Sequence, residues 1–306
     1  MQSLVQLASV RRSLFSTDEK RVQYLIMLIT ITVDLMRQPQ VLTRDSDCFL
    51  HFCRLLARLK ANYQLAELVK MDIYPEWIQA VAAFTDIAFK NYQHVENGVH
   101  YLLGLWSRLT VSIPFMKGDS PTHLQSIVPQ IFSQFIRIRV EAIRHNVEDD
   151  DIDAVFDPVD LEETMKNIPT LGRLNYGIAA QAVIQLIDPI AAAYSQATEA
   201  GNGPFILLAE TQLAWIIFLI ASLTSSQPLP GTDPLEQEGL DAEMIARVFR
   251  LLKVLEFRQT RQAHLPVSLH FAMSLLKFYS DFRRQYIGNA EVSVDFLFIF
   301  PMRTSY

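Results

Sequence analysis

Only 10 of the 306 residues are glycine, too few for the glycine-rich turns of βαβ folds, which leaves helices joined by short loops as the natural alternative. Cysteine is rarer still. Two residues, Cys48 and Cys53, cannot make a disulfide framework, and no Asn-X-Ser/Thr acceptor occurs, so nothing points to secretion. An excess of basic charge is also missing. The 27 Lys and Arg against 33 Asp and Glu leave a net charge of −6, which gives no general field for nucleic acid. Uninterrupted apolar runs stop short of the ~20 residues that a bilayer requires. Tyr24 to Val33 is closed by Asp34, Leu213 to Ala221 follows Glu210, Thr211 and Gln212, and both match buried core helices. The expectation is a soluble, cytosolic or nuclear protein with no nucleic-acid partner and no membrane insertion.

What is present is a large apolar share, 50% against 20% charged, enough for an extensive core and far above disordered chains. The first residues, MQSLVQLASVRRSLFS, carry Arg11 and Arg12 and no acid before Asp18. Mitochondrial presequences share that character with ordinary amphipathic surface helices. Beyond them the helical period is legible throughout. Phe49, Phe52, Cys53, Leu56 and Leu59 form one stripe, Trp77, Val81, Phe84 and Ala88 another, and Val99, Leu102, Leu103, Trp106 and Ile113 a third. Others run through Leu124 to Phe135, Ala179 to Ile190, Ile245 to Leu252, and Leu269, Ala272, Met273 and Leu276. Leu50, Leu55, Ile136 and Val140 lie off their main stripes, so these helices touch neighbours on more than one flank.

The punctuation fits an all-α chain. Ser16 with Glu19 reads as a capping box opening a helix that runs to about Arg37. Pro75 sits early in a helix, Pro114 ends the one containing Trp106, and Ser120-Pro121 supplies an N-cap and first-turn proline. Asp188-Pro189 should kink or end its helix, and Gly201 reads as a turn before Pro204. Two stretches, EDDDID at Glu148 to Asp153 and SSQPLPGTDPLEQEG at Ser225 to Gly239, read as solvated, mobile loops. Long helices recur in pairs about every 40 to 50 residues, beginning near Ser16, Tyr74, Ser120 and Pro204, which falls in the range of HEAT and armadillo repeats. An ordinary helical domain is the alternative.

Catalytic chemistry is sparse. Cys48, His51 and Cys53 do not converge on one helix face, and structural cysteine is the commoner reading. The histidines are scattered without HExxH pairing, and no nucleophile elbow or phosphate loop occurs. No enzyme, metal or cofactor is expected. EDDDID lacks the glycine and terminal glutamate of an EF-hand loop.

One leucine-rich stretch, CRLLARLKANYQLAELVKMDIYPEWI, carries Arg54, Arg58, Lys60 and Lys70 but no evident chemistry. With GVHYLLGLWSRLTVSIPFMKGDSPTHL, RVEAIRHNVEDDDID, VFDPVDLEETM, TQLAWIIFLIASL, AEMIARVFRLL and HFAMSLLKFYSDFRRQYIG, it resembles an internal part of the exportin-7 family, with its Ran-binding relatives, in the importin-β (karyopherin) superfamily. The resemblance runs from about Arg11 to Gly288. It implies a helical array over residues 1 to 288 that is a HEAT/armadillo-like superhelix of antiparallel helix pairs. It also implies transport of cargo proteins through the nuclear pore under control of Ran-GTP, contact with nucleoporins, and shuttling between nucleus and cytoplasm. The segment EVSVDFLFIFPMRTSY, within residues 289 to 306, departs from the family as a divergent tail. Asp149, Asp150 and Asp151 resemble the acidic loops that some karyopherins present to basic partners, where charge acts mainly on encounter rate. They are the partner-binding residues expected here.

Overall fold

The structure, a computed structural model, describes residues 1–43, 45–116, 121–230, 233–261 and 266–288, without the side chains of 92–97, 234 and 261. The chain forms α1 (Gln2–Leu7), α2 (Asp18–Met36), α3 (Pro39–Leu42), α4 (Ser46–Asn62), α5 (Leu65–Leu68), α6 (Tyr74–Lys90) and α7 (Tyr92–Thr110). Then follow α8 (Leu124–Glu148), α9 (Ile152–Val155), α10 (Pro158–Leu174), α11 (Tyr176–Ala200), α12 (Gly203–Ser225), α13 (Pro234–Arg261) and α14 (Leu269–Phe282). Among the described residues there is no strand. The divergent tail expected at 289–306 lies outside them.

The long helices alternate between two layers. In one, α2, α6, α8, α11 and α13 each pack on the next; in the other α1, α4, α7, α10, α12 and α14 do the same. Contacts between layers join α6 to α7, α8 to α10 and α11 to α12. This is the stacking of an α-α solenoid, in which each pair buries its apolar faces against its neighbours. The pairs begin at Asp18, Tyr74, Leu124, Tyr176 and Pro234, a longer period than expected. The break near Pro204 opens the second helix of a pair, not the first.

Helix boundaries follow local chemistry. The cap of α2 is Thr17, not Ser16: its backbone is extended and its hydroxyl accepts the Lys20 N–H at 3.3 Å. That register puts both Asp18 and Glu19 in the first turn, at the positive end of the helix. Asp45 accepts from the N–H groups of Asp47 and Cys48, Asn175 from that of Ile178, and Gly201 closes α11 in the left-handed conformation at φ 67°. Pro75 does sit in the first turn of α6, and Pro114 lies beyond the end of α7.

Pro121 stays outside α8, which begins at Leu124 after His123 in a left-handed turn; Ser120 lies outside the described residues. The Thr122 carbonyl accepts the Tyr74 hydroxyl at 2.7 Å, which ties this segment to α6 before the helix opens. Pro189 does not end α11, and Pro129 and Pro169 likewise lie inside helices. Lateral packing on both flanks outweighs the single backbone bond each proline removes. Both interhelical stretches are partly structured. Ile152 and Asp153 of the acidic stretch open α9, beyond which Val155 and Phe156 are buried, and PLEQEG already belongs to α13, with Gln237 buried.

The core runs the length of the stack. The stripes led by Phe49, Trp77, Val99 and Leu124 are buried in α4, α6, α7 and α8, except for Ile113, which falls beyond the end of α7 and is half-buried. Two indoles repeat one device: Trp77 Nε1 of α6 donates to Thr32 Oγ1 of α2 at 3.1 Å, and Trp106 Nε1 of α7 donates to Thr85 Oγ1 of α6 at 3.0 Å. Gly98 lets α7 close on α4, since a Cβ there would meet Phe49 at 2.7 Å and Cys53 Sγ at 3.3 Å. Cys53 is therefore a core residue, and burial pushes its thiol well above the ordinary value.

The α14 stripe is inverted. Leu269, Met273 and Leu276 are exposed at 70%, 51% and 49%, whereas Phe271, Leu275 and Phe278 are buried, Phe271 against the Tyr194 ring of α11 and Phe278 against the Phe249 ring of α13. Both faces of α14 are apolar, so periodicity alone could not say which is covered. α11 and α12 are long and apolar enough to cross a membrane, yet 72% of the most apolar window of α12 is buried inside the protein. A core helix of this array has the same composition.

Candidate functional site

Five of the described arginines divide into two kinds. Arg173 and Arg258 are buried and each is held by several partners. Arg173 donates to the Leu223 and Ser226 carbonyls at 2.6 and 3.0 Å, to Ser226 Oγ at 3.0 Å and to Gln237 Oε1 at 2.6 Å, and its guanidinium lies 4.0 Å over the Tyr176 ring. Asp241 closes this node. It stands 3.8 Å from Arg173 and accepts the hydroxyls of Tyr176 and, at 3.0 Å, Tyr286. Burial nevertheless holds the Asp241 carboxyl above its ordinary value.

Arg258 pairs with Glu210, which also accepts the Tyr194 hydroxyl at 2.9 Å and the Ser268 N–H at 2.9 Å. Arg258 further donates to the Pro266 carbonyl at 2.7 Å. These two nodes pin α10 to α14 together. Charged groups at such depth are structural ties, since removing one partner strands the other in low dielectric.

Arg54, Arg58 and Arg108 are the other kind. Arg54 and Arg58 lie one turn apart on α4 and Arg108 lies on α7; all three are exposed, and none has an ion-pair partner among the described residues. They rim a groove of about 990 Å³ that crosses α4, α7 and α10. The floor is small: Ala57 and Ala61 from α4, Gly104 and Ser107 from α7. All three helices contribute ridges at i, i+3 and i+4 spacing, so stacking alone brings them into register. Leu50, Tyr101 and Val159 add apolar surface, the last two 37% and 73% exposed.

The opposite wall, from α10, carries Asp157, Asp160 and Glu163. Most of this negative charge is already used. Asp160 contacts His100 Nε2 and accepts from Arg139 at 3.3 Å, Glu163 lies 3.5 Å from Lys166, and Asp157 Oδ1 accepts the N–H groups of Val159 and Asp160 at 3.0 Å as the cap of α10. Lys60 lies below the basic rim. Burial, followed by the Arg108 charge, pushes its ammonium below the ordinary value.

The structure does not bring Asp149, Asp150 and Asp151 into this groove. They are exposed at the C-terminal end of α8, with Asp150 in the left-handed region at φ 58°. Together with Glu148 they add negative charge to the negative end of the helix dipole. Asp153, just beyond, lies 3.4 Å from His270 of α14. Among the described residues no cluster of His, Cys, Asp and Glu has the arrangement of a metal site. Sequence reading noted Arg54 and Arg58 but missed Arg108 and the small-residue floor. The available signal was weak: two exposed cations at i, i+4 on a face that also carries two alanines.

Comparison with known proteins places this array. Residues 139–298 match the family model described as exportin-7-like, TPR domain. TPR, HEAT and armadillo arrays are all stacks of antiparallel helices. The chain is 34% identical over 292 residues to Exportin-7-B of Xenopus laevis and 34% identical over 291 residues to Ran-binding protein 17 of Homo sapiens, covering 94% of this chain in each case. It is 29% identical over 299 residues to Exportin-7 of Dictyostelium discoideum. No solved structure matches. The chain spans 26% of the length of the Xenopus and human relatives. A two-layer helical stack, and identity at that level along almost its whole length, show that the chain belongs to the exportin-7 family of nuclear transport receptors, which includes Ran-binding proteins 16 and 17.

Proposed function

We propose that this chain is a segment of a nuclear export receptor that takes part in binding cargo proteins and Ran-GTP during passage through the nuclear pore. The observation that carries the reading is 34% identity across 94% of the chain to relatives named as an exportin and as a Ran-binding protein. The open groove on α4, α7 and α10 supports binding in place of catalysis. A stack in which each helix pair touches only its neighbours changes curvature at small cost per pair, so occupancy at one place alters affinity at another, and the coupling is reciprocal. Transient contacts with nucleoporins and a shuttling distribution between nucleus and cytoplasm follow from that role.

In this reading Asp149, Asp150 and Asp151 meet basic partner surfaces. Their exposure, and their place at the negative end of α8, concentrate a field that speeds encounter with a cationic partner and weakens as salt is added.

The test is the affinity of the purified chain for Ran loaded with GTP or GDP, with and without a basic cargo protein. Selective binding of the GTP form supports the reading. Equal or absent binding of both nucleotide forms, with cargo still captured, would make this part of the receptor a helical scaffold for protein contacts independent of Ran.

A further inference from the structure

The groove has an electrostatic character that the proposed transport role does not specify. In a chain of net charge −6, three exposed guanidiniums on neighbouring helices are left without partners, while the carboxylates facing them are engaged with Arg139, His100, Lys166 or the end of α10. The charge missing from the site is negative. Its floor of alanine, glycine and serine leaves room for the backbone of another helix to approach closely, and a Cβ on Gly104 would meet nothing within 4 Å. Tyr101 and Val159 offer apolar contact beside that floor.

We infer that the groove across α4, α7 and α10 binds an acidic amphipathic helix of a partner protein, its carboxylates on Arg54, Arg58 and Arg108 and its apolar side against Tyr101 and Val159. Guanidinium forks suit carboxylates because they offer paired N–H donors in one plane. A helix laid in a groove anchors through side chains at i, i+3, i+4 and i+7, the spacing of the ridges that line this one. This rests on the reading of the chain as a protein-binding receptor segment but not on its binding Ran.

The experiment is a fluorescence anisotropy titration of the full chain with a labelled helical peptide bearing leucine on one face and glutamate on the other, beside a twin in which lysine replaces glutamate. The glutamate peptide should bind and the lysine twin should not, with affinity falling as salt rises. Arg54→Glu combined with Arg58→Glu should weaken binding at least about tenfold. Gly104→Trp, which fills the groove from a position with open space above it, should do the same while leaving the circular dichroism melt in place.

Equal binding of both peptides, or insensitivity to both variants, would overturn the inference. So would a polyuridylate oligomer that competes as well as the acidic peptide, because the site would then take nucleic acid. Sedimentation of the chain alone is a third arm: self-association abolished by the same charge reversals would make a second copy the occupant and remove the separate partner. Selective Ran-GTP binding without peptide binding would leave the transport reading standing and sink this one. Peptide binding without any response to Ran would do the reverse.

Discussion

Two groups of arginines in the stack are used in opposite ways. Toward the C-terminus, Arg173 and Arg258 are about 2% exposed and tie four or more helices together through carbonyls, carboxylates and hydroxyls. Toward the N-terminus, Arg54, Arg58 and Arg108 stand exposed over a groove and tie nothing. A charge whose partners are supplied by the fold stabilises one arrangement of helices. A charge left without one is available to another molecule. The difference teaches where to look for rigidity and where for recognition in a chain with no catalytic motif.

The sharpest way to break this contrast is at Glu210. Glu210→Ala strands Arg258 in the interior and should lower unfolding free energy by about 3–5 kcal/mol in urea titrations. Replacing Glu210 and Arg258 together by leucine and methionine should recover most of that loss, because no lone charge remains. Full loss in the double variant would mean that packing around the pair, not the unpaired charge, carries the cost.

Two glycines on α7 extend the comparison from charge to shape. Gly98→Ala drives a methyl group into the Phe49 ring and should cost about 1–3 kcal/mol. Gly104→Ala faces open groove and should stabilise by about 0.5–1 kcal/mol through helix propensity alone. Matching thermal shifts at the two positions would remove the distinction between a closed and an open face of α7.

Acid separates the ends in sign. Glu67 packs on Arg21 beside Tyr63; burial raises its carboxyl, but the Arg21 guanidinium and the Gln64 N–H outweigh that and leave it below its ordinary value. Its contribution is therefore present above the unfolded pKa and is lost as pH falls through the depressed one. Asp241 is raised by burial, so its contribution is full below the unfolded pKa and is lost as pH rises through the folded one. On acidification, the wild type should lose its advantage over Glu67→Gln and gain relative to Asp241→Asn. Parallel slopes in urea titrations across the carboxylate range would contradict these assignments.

The smallest effect belongs to the groove. Arg54→Ala and Arg58→Ala should each change stability by no more than about 0.5 kcal/mol, as expected of exposed side chains with no partner. A larger loss would place these arginines with Arg173 and Arg258 as structural ties.

The helices were largely legible in sequence because nearly every long one carries a single apolar stripe that its neighbours cover. Reading failed where local signals were ambiguous or answers lay far along the chain. Ser16 and Thr17 are both good caps, and only the register of Asp18 and Glu19 separates them. Leu269, Met273 and Leu276 form as clean a stripe as Phe271, Leu275 and Phe278, and the choice between them is made by α12. Pro189 lies inside a helix whose flanks are held on both sides. The groove was hidden for a similar reason: Arg108 joins Arg54 and Arg58 only because α7 stacks on α4, and the engagement of Asp160 depends on His100 and Arg139, which lie on two other helices. Asp149, Asp150 and Asp151 were visible as a charge run, and the fold adds their position at the end of α8.

The buried indoles carry a practical consequence. Trp77 and Trp106 sit in the N-terminal half with their N–H groups bonded to threonines, and Trp215 sits in α12, 6.3 Å from the Phe135 ring. All three are less than 2% exposed, so the intact protein should emit at short wavelength and resist aqueous quenchers. With Trp77 and Trp106 replaced by phenylalanine, the remaining emission would follow the C-terminal pairs alone; with Trp215 replaced instead, it would follow the pairs that build the groove. The chain thus contains a set of optical probes that can time the opening of one end against the other without any attached label.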